Sequence, residues 1–325
     1  MTQRALLRAV TGTVIAALAA APLQPAAGSS GGASAPDAAS SFAVGLRVLR
    51  LIDSSRTIKL PGGRVVPRTL LTVLRYPAMG SPGQTDVSGA PAARGAGPFP
   101  LVVFGHGFAV TPAIYSRLLQ SWARAGYVVA APLFPLENAT APGGPDESDL
   151  INQPRDMSYV ITSLLAESAA ATGPLAGLVD PAHIAVAGQS DGGETALAAA
   201  YSRRFRDPRV GAAVILSGAR MSGVGGYSFT RGSPPLLAAQ GTADTINEPR
   251  NTYQFFVRAS RPKYLLRLLG SEHLPPYTAA QPQLGIVERV SIAFLDGYMK
   301  TAPAALQQLL SLGNAAGAAQ LQAEP

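Results

Sequence analysis

The chain has 325 residues, 47% of them hydrophobic, a formal net charge of +7 and no cysteine. That apolar content suffices for one large core, and the missing cysteine excludes thiol nucleophiles, disulfides and cysteine-ligated zinc. The positive charge comes from scattered arginines, with only Lys59, Lys263 and Lys300 as lysines. No basic run interleaves with aromatics, so there is no nucleic-acid footprint.

Arg4 and Arg8 precede an apolar run over 9–21, followed by small residues. This is the pattern of a signal peptide over 1–27, cleaved between Ala20 and Ala27, and the run is too short to span a bilayer. It predicts a secreted, extracytoplasmic protein with no stable membrane anchor. Residues 28–44 are rich in Gly, Ser, Ala and Pro and read as a disordered linker. One domain is expected over 45–312, with a frayed Ala/Gln/Gly tail over 313–325.

Within that domain, 46–52 and 69–76 predict two strands, turning at Pro61-Gly62-Gly63 into an antiparallel hairpin. Residues 100–104 (PLVVF) form a continuous apolar run, as in a strand buried on both faces, and lead into Gly105-His106-Gly107-Phe108. A helix follows, with Thr111 as its cap, Pro112 in its first turn, Ile114, Leu118 and Trp122 on one face, and Gly126 as its stop. Residues 127–131 predict the next strand. The segment 132–152 carries Glu137, Asp146, Glu147 and Asp149. Clustered carboxylates suit calcium, but the spacing matches no EF-hand loop, and a solvated acidic loop entering a helix is the simpler expectation. Asn138-Ala139-Thr140 fits a glycosylation sequon. A helix is predicted over 154–168.

The stretch 184–201 (IAVAGQSDGGETALAAAY) reads as an apolar strand, a turn of small residues and an alanine-rich helix. At the turn, Gly188-Gln189-Ser190-Asp191-Gly192 fits G-x-S-x-G, the nucleophile elbow. Gly28-Ser29-Ser30-Gly31-Gly32 fits the same pattern with no strand before it and no helix after it, so context selects Ser190. Strand and helix pass so closely at such a corner that positions 188 and 192 admit no side chain. Beyond the elbow, strands are expected over 211–216, 235–240 and 263–269, a helix over 248–259, and a final helix over 285–300.

A serine hydroxyl needs a base, and the base needs an orienting acid. Three histidines are available. His183 lies at the far end of the elbow strand. His106 sits in a glycine-flanked turn and suits loop support. His273 follows the last predicted strand at the correct sheet edge and is the candidate base. Asp244, in the turn after the preceding strand, is the candidate acid, with Glu272 as its rival. Backbone N–H groups must receive the oxyanion. Asp191 N–H, next to the nucleophile, is one natural donor, and the loop holding Phe108 supplies the second. An ionised Asp191 would oppose the oxyanion unless it points to solvent or has a cation partner.

With GQSDGG at the elbow, FGHGF at the oxyanion loop, GTADTINEP around the acid and GSEHL around the histidine, in the order Ser, Asp, His, the chain resembles the α/β-hydrolase family. The similarity runs from about residue 46 to 300. It is greatest to secreted bacterial esterases related to type II platelet-activating-factor acetylhydrolases, chlorophyllase-like and dienelactone-hydrolase-like enzymes, and cutinase-type polyester hydrolases. The resemblance implies an α/β fold: a single α/β-hydrolase domain, its mostly parallel sheet covered by helices on both faces, with no large cap domain. It implies Ser190 as nucleophile, Asp244 as acid, His273 as base, and Phe108 and Asp191 N–H as the oxyanion hole, with the Phe108 ring flanking the acyl pocket. No cofactor or metal is implied. The partner implied is a small-molecule or polymeric ester substrate.

The chain departs from that pattern where dienelactone hydrolases have cysteine, and where polyester hydrolases carry His and Met around the serine, a tryptophan near 220–227 and a C-terminal disulfide. Here the serine's neighbours are Gln189 and Asp191, and the sole tryptophan is Trp122, in a predicted helix. The expected activity is carboxylic ester hydrolysis. The alternatives are polyester hydrolysis, amide or peptide hydrolysis on the same triad, and a non-catalytic binding protein that kept the fold.

Overall fold

The structure, a computed structural model, describes residues 41–219 and 223–325. The expected signal peptide and most of the expected linker lie outside the described residues, as do 220–222. The linker's end is corrected: the first strand, β1 (Ala43–Lys59), already begins within it, and Val44 is buried in the core. β1 pairs antiparallel with β2 (Val65–Ala78) across the turn at Pro61–Gly63, and the short β3 (Val87–Ser88) adds a parallel edge to β1.

Six parallel strands form the centre: β4 (Phe99–Gly105), β5 (Val128–Leu133), β6 (Val179–Gln189), β7 (Val210–Leu216), β8 (Leu236–Gly241) and β9 (Lys263–Leu268). With β10 (Ala319–Glu324) the full order is β10-β9-β8-β7-β6-β4-β5-β2-β1-β3. The helices are α1 (Ser116–Arg124), α2 (Gln153–Ala169), α3 (Asp191–Tyr201), α4 (Pro249–Arg258), α5 (Pro275–Thr278), α6 (Gln283–Met299) and α7 (Pro303–Gly313).

The pleat divides each central strand between two cores. Leu101, Val103 and Val186 pack under α2, α3 and α4, with Met157, Leu197 and Phe256. Val102, Phe104, Ala185 and Ala187 pack under α1, α6 and α7, with Trp122, Phe294 and Leu309. Helices on both faces explain why β4, β5 and β7 are apolar throughout rather than alternating. Trp122 is core, and its indole N–H donates to Ser291 of α6 at 2.8 Å. Thr111 makes no side-chain cap; a short 3-10 turn, Pro112–Tyr115, starts that helix instead. Among the described residues, no domain is inserted between the strands, and no helix is long and apolar enough to cross a membrane.

Further expectations are corrected. The tail 313–325 is not frayed: β10 pairs antiparallel with β9 and buries Ala319 and Leu321. The helix ending near residue 300 is followed by α7, and β9 is followed by β10, so neither is last. The acidic segment 132–152 is not uniformly solvated, because Glu137 and Asp149 are buried. Asn138 is buried too, its amide donating to Phe134 O at 2.7 Å, so the sequon is not presented for glycosylation.

Arg68 of β2 explains Asp149. Its guanidinium donates to both Asp149 oxygens (2.8 and 2.7 Å) and to both oxygens of Asp156 on α2 (2.7 and 2.5 Å), all out of water. Two forks on one planar cation suit arginine's donor geometry. They tie the hairpin to the segment that carries Glu137. Replacing Arg68 with Met leaves the buried Asp149 without a cation and Asp156 with Arg56 alone, at 2.8 Å, and is expected to cost about 3–5 kcal/mol, read as a lower urea midpoint at unchanged m-value.

Candidate active site

Ser190 stands between the end of β6 and the start of α3, with φ 57° and ψ −124°. A non-glycine residue in this region stores roughly 1–3 kcal/mol and persists only where the surroundings impose it. Here they do. Ser190 N–H donates to Leu216 O and Ser190 C=O accepts from Glu194 N–H, both at 3.0 Å. A Cβ at Gly188 would lie 2.0 Å from Gly192 O, and one at Gly192 would lie 2.1 Å from Gly105 O. The expected close approach of 188 and 192 is present, and the end of β4 joins it through Gly105.

His273, in the loop after β9, places Nε2 at 2.9 Å from Ser190 Oγ and Nδ1 at 2.8 Å from Asp244 Oδ2. Asp244 is buried in the turn after β8. Its Oδ1 accepts from Ile246 N–H (3.0 Å) and Asn247 N–H (2.9 Å), and its Oδ2 also accepts from Gln240 Nε2 (3.1 Å). Burial alone would raise its carboxyl. The hydrogen bond and charge of His273, with the Asn247 N–H, outweigh burial and hold it below the usual range. An ionised carboxylate only accepts, so Nδ1 of His273 carries the proton and Nε2 is left to accept from Ser190.

The two loops touch through backbone, since a Cβ at Gly241 would lie 2.4 Å from Ser271 O. Glu272 is exposed, and Asp244 is the acid that meets the ring. His183 lies at the other end of β6, bonded to Asp180 at 2.7 Å.

The loop after β4 is held by three polar groups. His106 is buried, donating from Nδ1 to Gly107 O (2.8 Å) and accepting Phe134 N–H at Nε2 (3.0 Å). The Tyr115 hydroxyl accepts Gly107 N–H (3.3 Å) and donates to Gln189 Oε1 (2.7 Å), and Gln189 Nε2 donates to His273 O (3.2 Å). Tyr115 and Gln189 were missed as site residues; Tyr115 shares an apolar helical face with Leu118 and Trp122 and reads as core. Neither Phe108 N–H nor Asp191 N–H has a hydrogen-bond partner among the described residues. Phe108 is half-exposed beside Ser190's end of the sheet.

The Asp191 side chain turns to neither solvent nor a cation. It is buried and faces Glu137, a residue the sequence placed in a solvated loop. Among the described residues no cluster of three or more His, Cys, Asp or Glu could hold a metal ion. The arrangement offers a hydroxyl, a base, an oriented acid and two unengaged N–H donors at one rim of the sheet.

Burial pushes the His106 imidazole down to about 4. The folded protein therefore holds it neutral while the unfolded chain, near 6.5, takes a proton. Stability is expected to fall as pH drops from about 6.5 toward 4, by up to about 1.4 kcal/mol per pH unit. In ring 15N NMR, His106 should remain the neutral Nδ1–H tautomer between pH 8 and 5. An imidazolium signal for it in the folded protein at pH 5.5 would contradict this assignment.

A family model described as Chlorophyllase matches residues 73–235, from within β2 to the residue before β8. The match includes Phe108, Ser190 and Asp191; Asp244 and His273 lie beyond it. Comparison with curated proteins finds no match. The sheet order, the strand–serine–helix corner and this match, which spans half of the chain, place it in one family: the chain belongs to the chlorophyllase family, a family of α/β-hydrolase-type esterases.

Proposed function

We propose that the chain hydrolyses carboxylic esters through an acyl-enzyme on Ser190. The observation that carries this is the relay Ser190 Oγ, His273 Nε2 and Nδ1, Asp244 Oδ2, linked at 2.9 and 2.8 Å. Family membership supports the ester class.

Ser190 Oγ attacks the ester carbonyl carbon as His273 Nε2 takes its proton. Asp244 stays ionised, holds the ring in its productive tautomer and stabilises the imidazolium. The carbonyl oxygen becomes an oxyanion facing Phe108 N–H and Asp191 N–H. One such donor is worth on the order of 3 kcal/mol. The tetrahedral intermediate collapses as His273 gives its proton to the departing alkoxide. Water, activated by the same imidazole, then attacks the acyl carbon and releases the acid. The Phe108 ring flanks the acyl side. A small-molecule or polymeric ester is the substrate class, and the composition of residues 1–27 supports export of the enzyme.

Short-chain p-nitrophenyl esters test this. Ser190→Ala is expected to lower kcat by roughly 10⁴-fold or more, with Asp244→Asn approaching the same loss. A fluorophosphonate should label Ser190 in the wild type. Equal turnover by wild type and Ser190→Ala would end the reading.

A further inference from the structure

Glu137, between β5 and α2, is fully buried, and its carboxyl meets that of Asp191. No N–H or O–H among the described residues donates to Glu137 Oε1, Glu137 Oε2 or Asp191 Oδ2. Two ionised carboxylates cannot sit together out of water without a donor; each would carry an uncompensated desolvation cost. The donor that the pair itself can supply is a proton on one of its own oxygens.

Glu137 also touches both arms of the oxyanion hole. Its backbone C=O accepts from Ala109 N–H at 2.9 Å, one residue beyond Phe108. Its carboxyl meets the side chain of Asp191, whose N–H is the second donor. Ala139 N–H to Val110 O, at 3.2 Å, adds a further tie between the same two loops.

We propose that Glu137 and Asp191 share one proton, and that this carboxyl–carboxylate hydrogen bond holds the two oxyanion donors in register. Glu137 is thus a positioning residue for the reaction. That role rests on the ester-hydrolase reading; the shared proton does not.

The surrounding charges agree. Facing the pair are Asp149 and Glu147 of the short segment Glu147–Asn152, the Tyr115 hydroxyl and the His273 ring. Arg68 is taken up by Asp149 and Asp156. Burial, then the charge of Asp191, pushes Glu137 up to about 11. Burial also raises Asp191, opposed by the hydrogen bond from Glu137 and by the charge of His273. The proton therefore resides on Glu137 through neutral pH. Above that range the proton leaves, two adjacent carboxylates repel, and the donors lose their support.

The test is infrared difference spectroscopy at pH 7 of wild type against Glu137→Gln, whose amide can donate to Asp191 but cannot titrate. A C=O stretch of a protonated carboxylic acid, present in the wild type and lost in the variant, is expected. Its absence from the wild type overturns the shared proton. In ester turnover, Glu137→Ala should lose roughly 10- to 100-fold in kcat at little-changed KM, as for misplaced catalytic groups. Glu137→Gln should recover most of that loss and lack the wild type's alkaline decline. Equal loss in both variants overturns the positioning role. Fluorophosphonate labelling of Ser190 decides the ester-hydrolase reading separately, and the infrared result stands whichever way it falls.

Discussion

Glycines at 105, 188 and 192 let the ends of β4 and β6 and the first turn of α3 meet backbone to backbone. A single methyl at 188 or 192 would land about 2 Å from a carbonyl oxygen or carbon. Because nothing intervenes, α3 begins directly over the strand ends, and the serine between strand and helix is forced into positive φ. Its hydroxyl then leaves the sheet at the rim to which β8 and β9 deliver their own loops. The N–H after it faces the same rim, and so does the loop that continues from Gly105. The two apolar layers under α2–α4 and under α1, α6 and α7 are large enough to bear the local strain.

A second layer of polar contacts turns that contact into a site. His106, Tyr115 and Gln189 are buried, and their hydrogen bonds reach from the loop after β4 to the elbow and on to the loop that holds His273. Buried polar groups that are fully paired are costly to rearrange, so such a network specifies one geometry. Asp244 belongs to the same logic, with backbone and side-chain donors on both carboxylate oxygens. At the Glu137–Asp191 contact pairing by ordinary donors fails, and Glu137 is tied through its backbone C=O to Ala109 N–H, next to Phe108. Arg68 anchors the segment around Glu137 from the hairpin side.

The central strands were legible because burial on both faces leaves runs such as PLVVF with no polar position. The elbow was legible because its glycines are demanded by contacts within a few residues. Asp244 and His273 followed from chain order and from their positions after successive strands, since parallel strands carry those loops to one edge. What stayed hidden depends on contacts distant in sequence. Nothing near Glu137 announces that Asp191 will cover it, and nothing near Arg68 announces two carboxylates 81 and 88 residues away. Composition misled at the C-terminus: Ala319-Gln320-Leu321-Gln322 alternates apolar and polar, the signature of a strand with one buried face, yet its Ala/Gln content resembled a loose tail.

The most direct measurement of the central claim is a crystal structure of the protein after reaction with an alkyl phosphonate ester, whose tetrahedral phosphorus mimics the oxyanion intermediate. The account predicts phosphorus bonded to Ser190 Oγ, its phosphoryl oxygen within hydrogen-bond distance of both Phe108 N–H and Asp191 N–H, and the His273 ring still bridging to Asp244. A phosphorus on any other side chain, or a phosphoryl oxygen turned away from those two N–H groups, would contradict it.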